Sequence, residues 1–411
     1  MIFEKNIYML RRDSYDLIIV GGGIVGTTLA VALKNTGLNI AMIEERPLEV
    51  AASRRQAYAL SLMSSRIFTG LGIWDKISPS IGKFRHIRLS DADFPIFVPF
   101  VVDELKTEYL GYVGEHQVIL TALHNASQDC DRIDWLSPAK VLEVEYGAET
   151  ATVTLEKAGQ TRKITAKLVI GADGARSAIR QGAQIKTKGW KYWQSCVAFT
   201  IKHQLDRNDT AFERFWPTGP MGILPLQGNR CQIVWTNPHQ EAKKLQEMPE
   251  AEFIKKLEAY TGGLLGKIAL VSPRALFPVQ LMQSDTYVKP RLALIGDAAH
   301  CCHPVGGQGL NLGIRDAAAL AQVLKEAAEK QEDIGALSTL KSYEKWRRSE
   351  NLAILGFTDF LDRLFSNNWP PIVLIRRLGL AMMRGFPPLK LFALQLMTGL
   401  KGRIPQLART C

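Results

Sequence analysis

Three glycines, Gly21, Gly23 and Gly26, stand in the spacing G-x-G-x-x-G, and an acidic residue, Glu44, follows in the same local unit. Each glycine has a mechanical reason. Gly21 permits a tight turn, Gly23 lets the backbone approach a pyrophosphate, and Gly26 lets a helix pack closely on a strand. The helix N-terminus then faces the phosphates, and Glu44 can accept hydrogen bonds from ribose hydroxyls. The triplet alone is a weak signal, because a glycine-rich turn with no ligand carries the same letters. The order of strand, triplet, helix and acid makes it a dinucleotide site.

Two later segments carry further chemistry. Residues 169–180 read VIGADGARSAIR, in which a strand end is followed by Asp173, Gly174 and Arg176. Residues 292–320 read LALIGDAAHCCHPVGGQGLNLGIRDAAAL, in which a strand ends at Gly296, Asp297 follows, and the glycines 306, 307 and 309 open a long helix. The alternative reading of Asp297 is an N-cap for the turn that follows it.

With these three motifs in this order, nearly the whole chain resembles the flavoprotein aromatic hydroxylases typified by p-hydroxybenzoate hydroxylase, and within them the ubiquinone-biosynthesis hydroxylases. A simple NAD dehydrogenase needs neither the second nor the third motif. The resemblance implies FAD as cofactor and NAD(P)H as co-substrate. It places Asp297 on the ribitol, Pro304 beside the isoalloxazine ring, and Asp173 near the pyrophosphate cleft. Gly307, Gly309, Leu310 and Asn311 form the loop and helix start beside the flavin. There the N–H groups would favour the negative charge of the reduced ring, so Pro304, Gly309 and Asn311 are the expected catalytic positions.

The family also carries an arginine after the first acidic strand. Here the segment reads SRRQAYAL over 53–60, which puts Gln56 at that position and Arg54 on the same strand face two residues earlier. Gln117, at the start of its helix, stands where relatives often carry arginine. Both glutamines can hydrogen-bond a phosphate or ribose without supplying charge.

The implied reaction is hydroxylation of a phenolic ring with NAD(P)H and dioxygen through a flavin hydroperoxide, on a substrate expected to be a prenylated quinone precursor. The alternatives are an FAD-dependent epoxidase, halogenase or polyprenyl reductase on the same fold, or a non-catalytic prenyl-binding carrier. The lysine-bearing tryptophan motif common in halogenases is not found. A carrier has no need of the glycine loop. No residue stands out as the acid or base for the phenolic proton.

These residues need an α/β frame to hold them. Residues 16–20 (DLIIV) read as a buried strand, 26–35 as a helix ending at Gly37, and 38–45 as a second strand. A helix is expected over 117–126, a hairpin around Gly147, and a long helix over 310–330. From 185 to 281 the texture changes to β-like runs broken by Gly, Pro and Asn. The expected architecture is a Rossmann-type FAD-binding domain with an inserted antiparallel β-sheet substrate domain and a helical C-terminus. Its pieces are 13–88, 105–184 and 288–335 for the FAD-binding domain, 89–104 as a crossing segment, 185–287 for the substrate domain, and 336–411 for the helical region. Phe215, Trp216 and Trp235 could line a substrate pocket in the inserted domain; core packing is the better reading of them.

Composition excludes several classes. Of 411 residues, 46% are hydrophobic and 22% charged, ordinary values for a chain with a substantial core. The six cysteines are too sparse for a disulfide scaffold, and adjacent Cys301, Cys302 and His303 cannot converge on one tetrahedral metal. No metal and no nucleic-acid partner is expected. The first sixteen residues lack the apolar core of a secretory signal, and no apolar run approaches the roughly 18 residues that cross a bilayer. The net charge is +11, and beyond Asp362 the chain carries eight basic residues and no acidic one. Basic and apolar pieces together suit a surface that meets anionic lipid; the plainer alternative is a helical pair packed on the main domain. The expected location is cytoplasmic, peripheral at the inner face of a membrane and in company with quinone-biosynthesis proteins.

Overall fold

The computed structural model describes residues 12–92 and 94–409; the N-terminal stretch read for a signal lies mostly outside them. The frame is a parallel sheet with the opening strand Ser14–Val20 at its centre. On one side it pairs with Ile40–Ile43, which pairs with Ile133–Leu136; on the other it pairs with Gln160–Gly171, which pairs with Leu292–Leu294. The register brings Ile18 beside Ala41 and Val169. All four residues of Ile40–Ile43 are buried, as expected of a strand covered on both faces. Helices Ile24–Leu33 and Gln308–Glu329 pack on this sheet and on each other. The Gly147 hairpin forms as Lys140–Tyr146 against Ala151–Lys157.

The second layer is a nine-stranded sheet built around the long strand Thr187–His203, which pairs antiparallel with Arg230–Pro238 and Ala275–Ser284. Its order continues through Gly219–Pro225 and Thr210–Trp216 to His86–Asp91 and Phe97–Val101. The interval read as a crossing therefore contributes a strand pair to this sheet. His86–Asp91 runs parallel to Thr210–Trp216, a pairing between distant parts of the chain that local turn signals around Pro95 conceal.

After the long helix come Leu337–Phe365, Pro370–Gly385 and Pro387–Met397. Prolines at the first positions of the last two helices fit there because the missing N–H is one a helix start leaves unpaired. A buried polar knot ties the first of these helices to the frame. Asp316 accepts from Arg347 Nε at 2.8 Å, His300 Nε2 at 2.6 Å, Asn351 Nδ2 at 3.1 Å and the Gly296 N–H at 3.1 Å. These partners hold the Asp316 carboxyl well below the usual range despite its burial. The knot fixes the turn that carries Asp297.

Candidate functional site

A cavity of about 1000 Å³ runs from the carboxyl ends of the parallel strands to the second sheet. Such a place, outside strand ends of an open α/β sheet, is where this architecture binds ligands. Gly21, Gly23, Glu44, Arg54, Gln56, Asp173, Asp297, Pro304, Gly307, Gly309, Leu310 and Asn311 all line it. Residues from widely separated motifs thus share one chamber.

The glycine positions show why side chains are excluded. Gly21 has φ +113°, and a Cβ there would meet the Ala172 carbonyl. A Cβ on Gly26 would collide with the Gly21 carbonyl, so Gly26 serves helix-on-strand contact rather than lining the chamber. At Gly23 a Cβ would meet nothing within 4 Å, which leaves open space beside the backbone at the helix start.

Glu44 Oε2 accepts from the Gly22 N–H at 3.0 Å, while Oε1 accepts from Arg46 N and Nε, both at 3.2 Å. Arg54 and Gln56 lie in the loop before the strand Ala57–Leu60, not on the strand itself, and both still reach the chamber. Gln117 does not reach it. It is exposed on the helix His116–Gln128, and the preceding residue, His116, is the one that lines the chamber. His116 Nε2 lies 3.0 Å from the Ala51 carbonyl and Nδ1 lies 3.2 Å from the Tyr58 hydroxyl; burial pushes its pKa down to about 4. The imidazole is neutral at pH 7.

Asp173 uses Oδ2 to accept from the Ile179 N–H at 3.2 Å, and its buried Oδ1 has no partner. An unpaired buried carboxylate oxygen is costly without a ligand that donates to it. Asp297 opens its carboxyl to the cavity, and desolvation there raises its pKa.

The glycine loop ends in two left-handed residues, Gly306 (φ +65°) and Gly307 (φ +61°), directly before the helix Gln308–Glu329. A Cβ on Gly307 would lie 2.8 Å from Ala59 Cβ. At this helix start the N–H groups of Gln308, Gly309 and Leu310 have no partner within the helix and point out of its end. The Asn311 side chain is occupied: Oδ1 accepts from Ser61 N at 2.8 Å and Ser64 Oγ at 2.7 Å, and Nδ2 donates to Ala59 O at 2.9 Å and Gly307 O at 2.8 Å. It clasps the loop to the strand Ala57–Leu60.

Beyond the loop the lining turns apolar, with Phe84, Leu89, Phe100, Phe277 and Met397 among it. Phe215 joins this wall and stacks on Phe365, ring centroids 4.0 Å apart. Trp235 and Trp216 are turned to the other side of the sheet, packed on Tyr260. Reading the sequence missed Arg46, Tyr58, His116 and Glu213, which also line the chamber. His300 is held by Asp316, and the Cys302 thiol is pushed up to about 12 by burial.

An elongated chamber with open backbone approach at Gly23, acceptors at Glu44, Asp173 and Asp297, and free N–H groups at two helix starts fits a dinucleotide joined to a flat ring system. A family model described as FAD binding domain matches residues 14–357. An uncharacterised protein of Synechocystis sp. (slr1300) is 56% identical over 399 residues, 97% of this chain and 96% of its own. The ubiquinone hydroxylase UbiL of Rhodospirillum rubrum is 37% identical over 378 residues, 91% of this chain and 87% of its own. The crystal structure of p-nitrophenol 4-monooxygenase PnpA from Pseudomonas putida shares the fold, with a TM-score of 0.80 at 18% identity, covering 95% of this chain and 100% of the other. The chain belongs to the FAD-binding-domain flavoprotein monooxygenases, in the branch of the ubiquinone-biosynthesis hydroxylases.

Proposed function

We propose that this enzyme hydroxylates the phenolic ring of a prenylated quinone precursor, using FAD, NAD(P)H and dioxygen. The observation that carries this reading is the joining of the nucleotide site to a large apolar compartment inside one cavity. Gly21, Gly23 and Glu44 would hold the adenosine end of FAD, with Arg46 and Arg54 near the phosphates. Asp297 would take the ribitol, and the helix start at Gln308–Leu310 would face the ring. When bound, FAD reduced by NAD(P)H supplies the activation of dioxygen.

The chain's own residues supply the rest. Free N–H groups at the start of Gln308–Glu329 stabilise negative charge brought beside them. The apolar wall of Phe84, Phe100, Phe215 and Phe277 excludes water, which protects reactive oxygen species from side reactions. Its size and polarity suit a ring carrying a hydrocarbon chain.

The C-terminal helices would deliver such a substrate. Met383, Leu394 and Met397 line the chamber, while Leu374 (61% exposed), Leu378 (56%) and Met382 (62%) form an outward stripe at four-residue spacing. No described helix is long and apolar enough to cross a membrane. A stripe of this kind suits shallow immersion in a bilayer surface. Charge contributes less than the sequence suggests, because several of the eight basic residues are paired internally. Arg376 and Arg377 meet Asp91, Arg363 meets Asp359, and Lys390 meets Glu104. Deleting the tail would also breach the chamber, so surface substitutions are the cleaner probe.

Purified protein should be yellow, retain FAD, and oxidise NAD(P)H faster when prenylated phenols are added. Colourless protein that takes up no FAD would overturn the reading.

A further inference from the structure

The apolar end of the chamber contains one carboxyl group that is out of keeping with its walls. From the strand Thr210–Trp216, Ala211, Glu213 and Phe215 line the cavity, joined by Phe212. The other lining carboxylates, Glu44, Glu45, Asp173 and Asp297, all follow strands of the parallel sheet at the nucleotide end. Glu213 alone comes from the substrate sheet. Its carboxyl lies beside the Gly306 backbone, in the glycine loop between Pro304 and the helix start, with Oε2 turned toward Gly222 of the neighbouring strand. That places it where the flavin ring and the apolar compartment would meet.

Among the described residues no ion pair to Glu213 is seen. The adjacent strand Gly219–Pro225 carries no titratable side chain. On the strand His86–Asp91, His86 is 4.0 Å from Asp209, Arg88 lies over Phe97, and Asp91 is held by Arg376 and Arg377. Behind the glycine loop, His303 faces Asp362 at 3.4 Å and Tyr192, whose hydroxyl donates to Asp359. On the helix Pro387–Met397, Lys390 pairs with Glu104. The Cys196 thiol, bonded to Thr236 and near Glu213, stays protonated.

We propose that Glu213 accepts the ring-hydroxyl proton of the phenolic substrate, an inference that rests on the monooxygenase reading above. The phenolic O–H bond breaks with its electron pair left on oxygen, and the proton passes to a Glu213 carboxylate oxygen; no electron is transferred. The phenolate ring is richer in electrons and better able to attack an electrophilic oxygen. The protonated carboxyl can then donate a hydrogen bond to the phenolate. Burial pushes the Glu213 carboxyl up to about 7, so at neutral pH it exists in both states. A general base is most effective when its pKa lies near the working pH.

The test compares FAD-loaded wild type with Glu213→Gln and Glu213→Asp, using 2-geranylphenol and its ring-fluorinated analogue as probes. Wild-type kcat should rise with pH along a limb centred near 7. In Glu213→Gln that limb should vanish and turnover fall by roughly 10²–10⁴-fold, with FAD content unchanged. Glu213→Asp should keep a limb, and the loss in Glu213→Gln should shrink for the fluorinated phenol, which ionises more readily. A variant that keeps both the limb and turnover within a few-fold overturns the proposal. A second readout does not depend on turnover: an infrared band of a protonated carboxyl should disappear near pH 7 in wild type and be missing from Glu213→Gln. Its absence from wild type also overturns the proposal. If wild type shows the band but hydroxylates neither phenol, the substrate reading has failed and the proton-acceptor role falls with it.

Discussion

Replacing Asn311 by alanine should loosen the flavin site without touching any group that contacts the substrate. The side chain makes four hydrogen bonds of 2.7–2.9 Å, two accepted from Ser61 N and Ser64 Oγ and two donated to Ala59 O and Gly307 O. A typical bond of this kind is worth about 1 kcal/mol net. Water from the adjoining chamber can partly replace the lost partners, so the expected destabilisation is about 2–4 kcal/mol. If about 1.4 kcal/mol of that falls on the conformation of the glycine loop, FAD affinity drops about tenfold. Asn311→Asp keeps the size of the side chain but turns an oxygen toward two carbonyls, and should be no milder than alanine. Urea unfolding of the apoprotein and fluorescence titration with FAD measure the two effects. A loss under about 1 kcal/mol with unchanged FAD affinity would refute the assignment of Asn311 as the clasp of the loop.

Four further outcomes are expected. Gly307→Ala should weaken FAD binding more than Gly306→Ala in the same titration, because its Cβ meets Ala59 at 2.8 Å while the Gly306 position faces the flexible end of Met397. Arg376→Met should cost about 2–4 kcal/mol in urea unfolding, since it strips the buried Asp91 carboxylate of one of two arginines. Changing Leu374, Leu378 and Met382 together to serine should abolish sedimentation with vesicles of anionic phospholipid and leave the urea midpoint near wild type, because all three are exposed. Finally, the raised pKa of Glu213 means that folding favours its neutral form. Its contribution to apoprotein stability is present below about 4.5 and is lost as pH rises to about 7. Urea midpoints across that range should fall in wild type and fall less in Glu213→Gln.

Much of the nucleotide end was legible because its chemistry is tied to strand ends. Glu44, Asp173 and Asp297 each follow a short buried run, and the glycines between strand and helix mark backbone approach whatever the rest of the chain does. Gln117 was misread by one position. Successive helix residues point about 100° apart, so the exposed Gln117 and the chamber-lining His116 differ only in the phase of the helix start.

Glu213 was hidden by a symmetry in its strand. In TAFERFW, residues 211, 213 and 215 carry Ala, Glu and Phe, and residues 212, 214 and 216 carry Phe, Arg and Trp. Either parity has apolar flanks about a charge; Phe215 stacks on Phe365 and lines the chamber with Ala211 and Glu213, while of the other parity Phe212 reaches it and Arg214 and Trp216 do not. The place of His86–Asp91 in the sheet was likewise illegible, because its parallel partner Thr210–Trp216 is more than a hundred residues away, and Phe97–Val101 joins only through it. The outward stripe was visible as apolar residues, but the internal pairing of Arg376, Arg377 and Lys390 was not.

Product analysis under oxygen-18 gas tests the central claim most directly. FAD-loaded enzyme, NAD(P)H and a prenylated phenol should yield a ring hydroxyl carrying one labelled oxygen atom, with none incorporated from labelled water in the reciprocal experiment. A hydroxylated product whose new oxygen comes from water, or NAD(P)H consumption that yields no hydroxylated ring from any phenol accepted by the chamber, would contradict it.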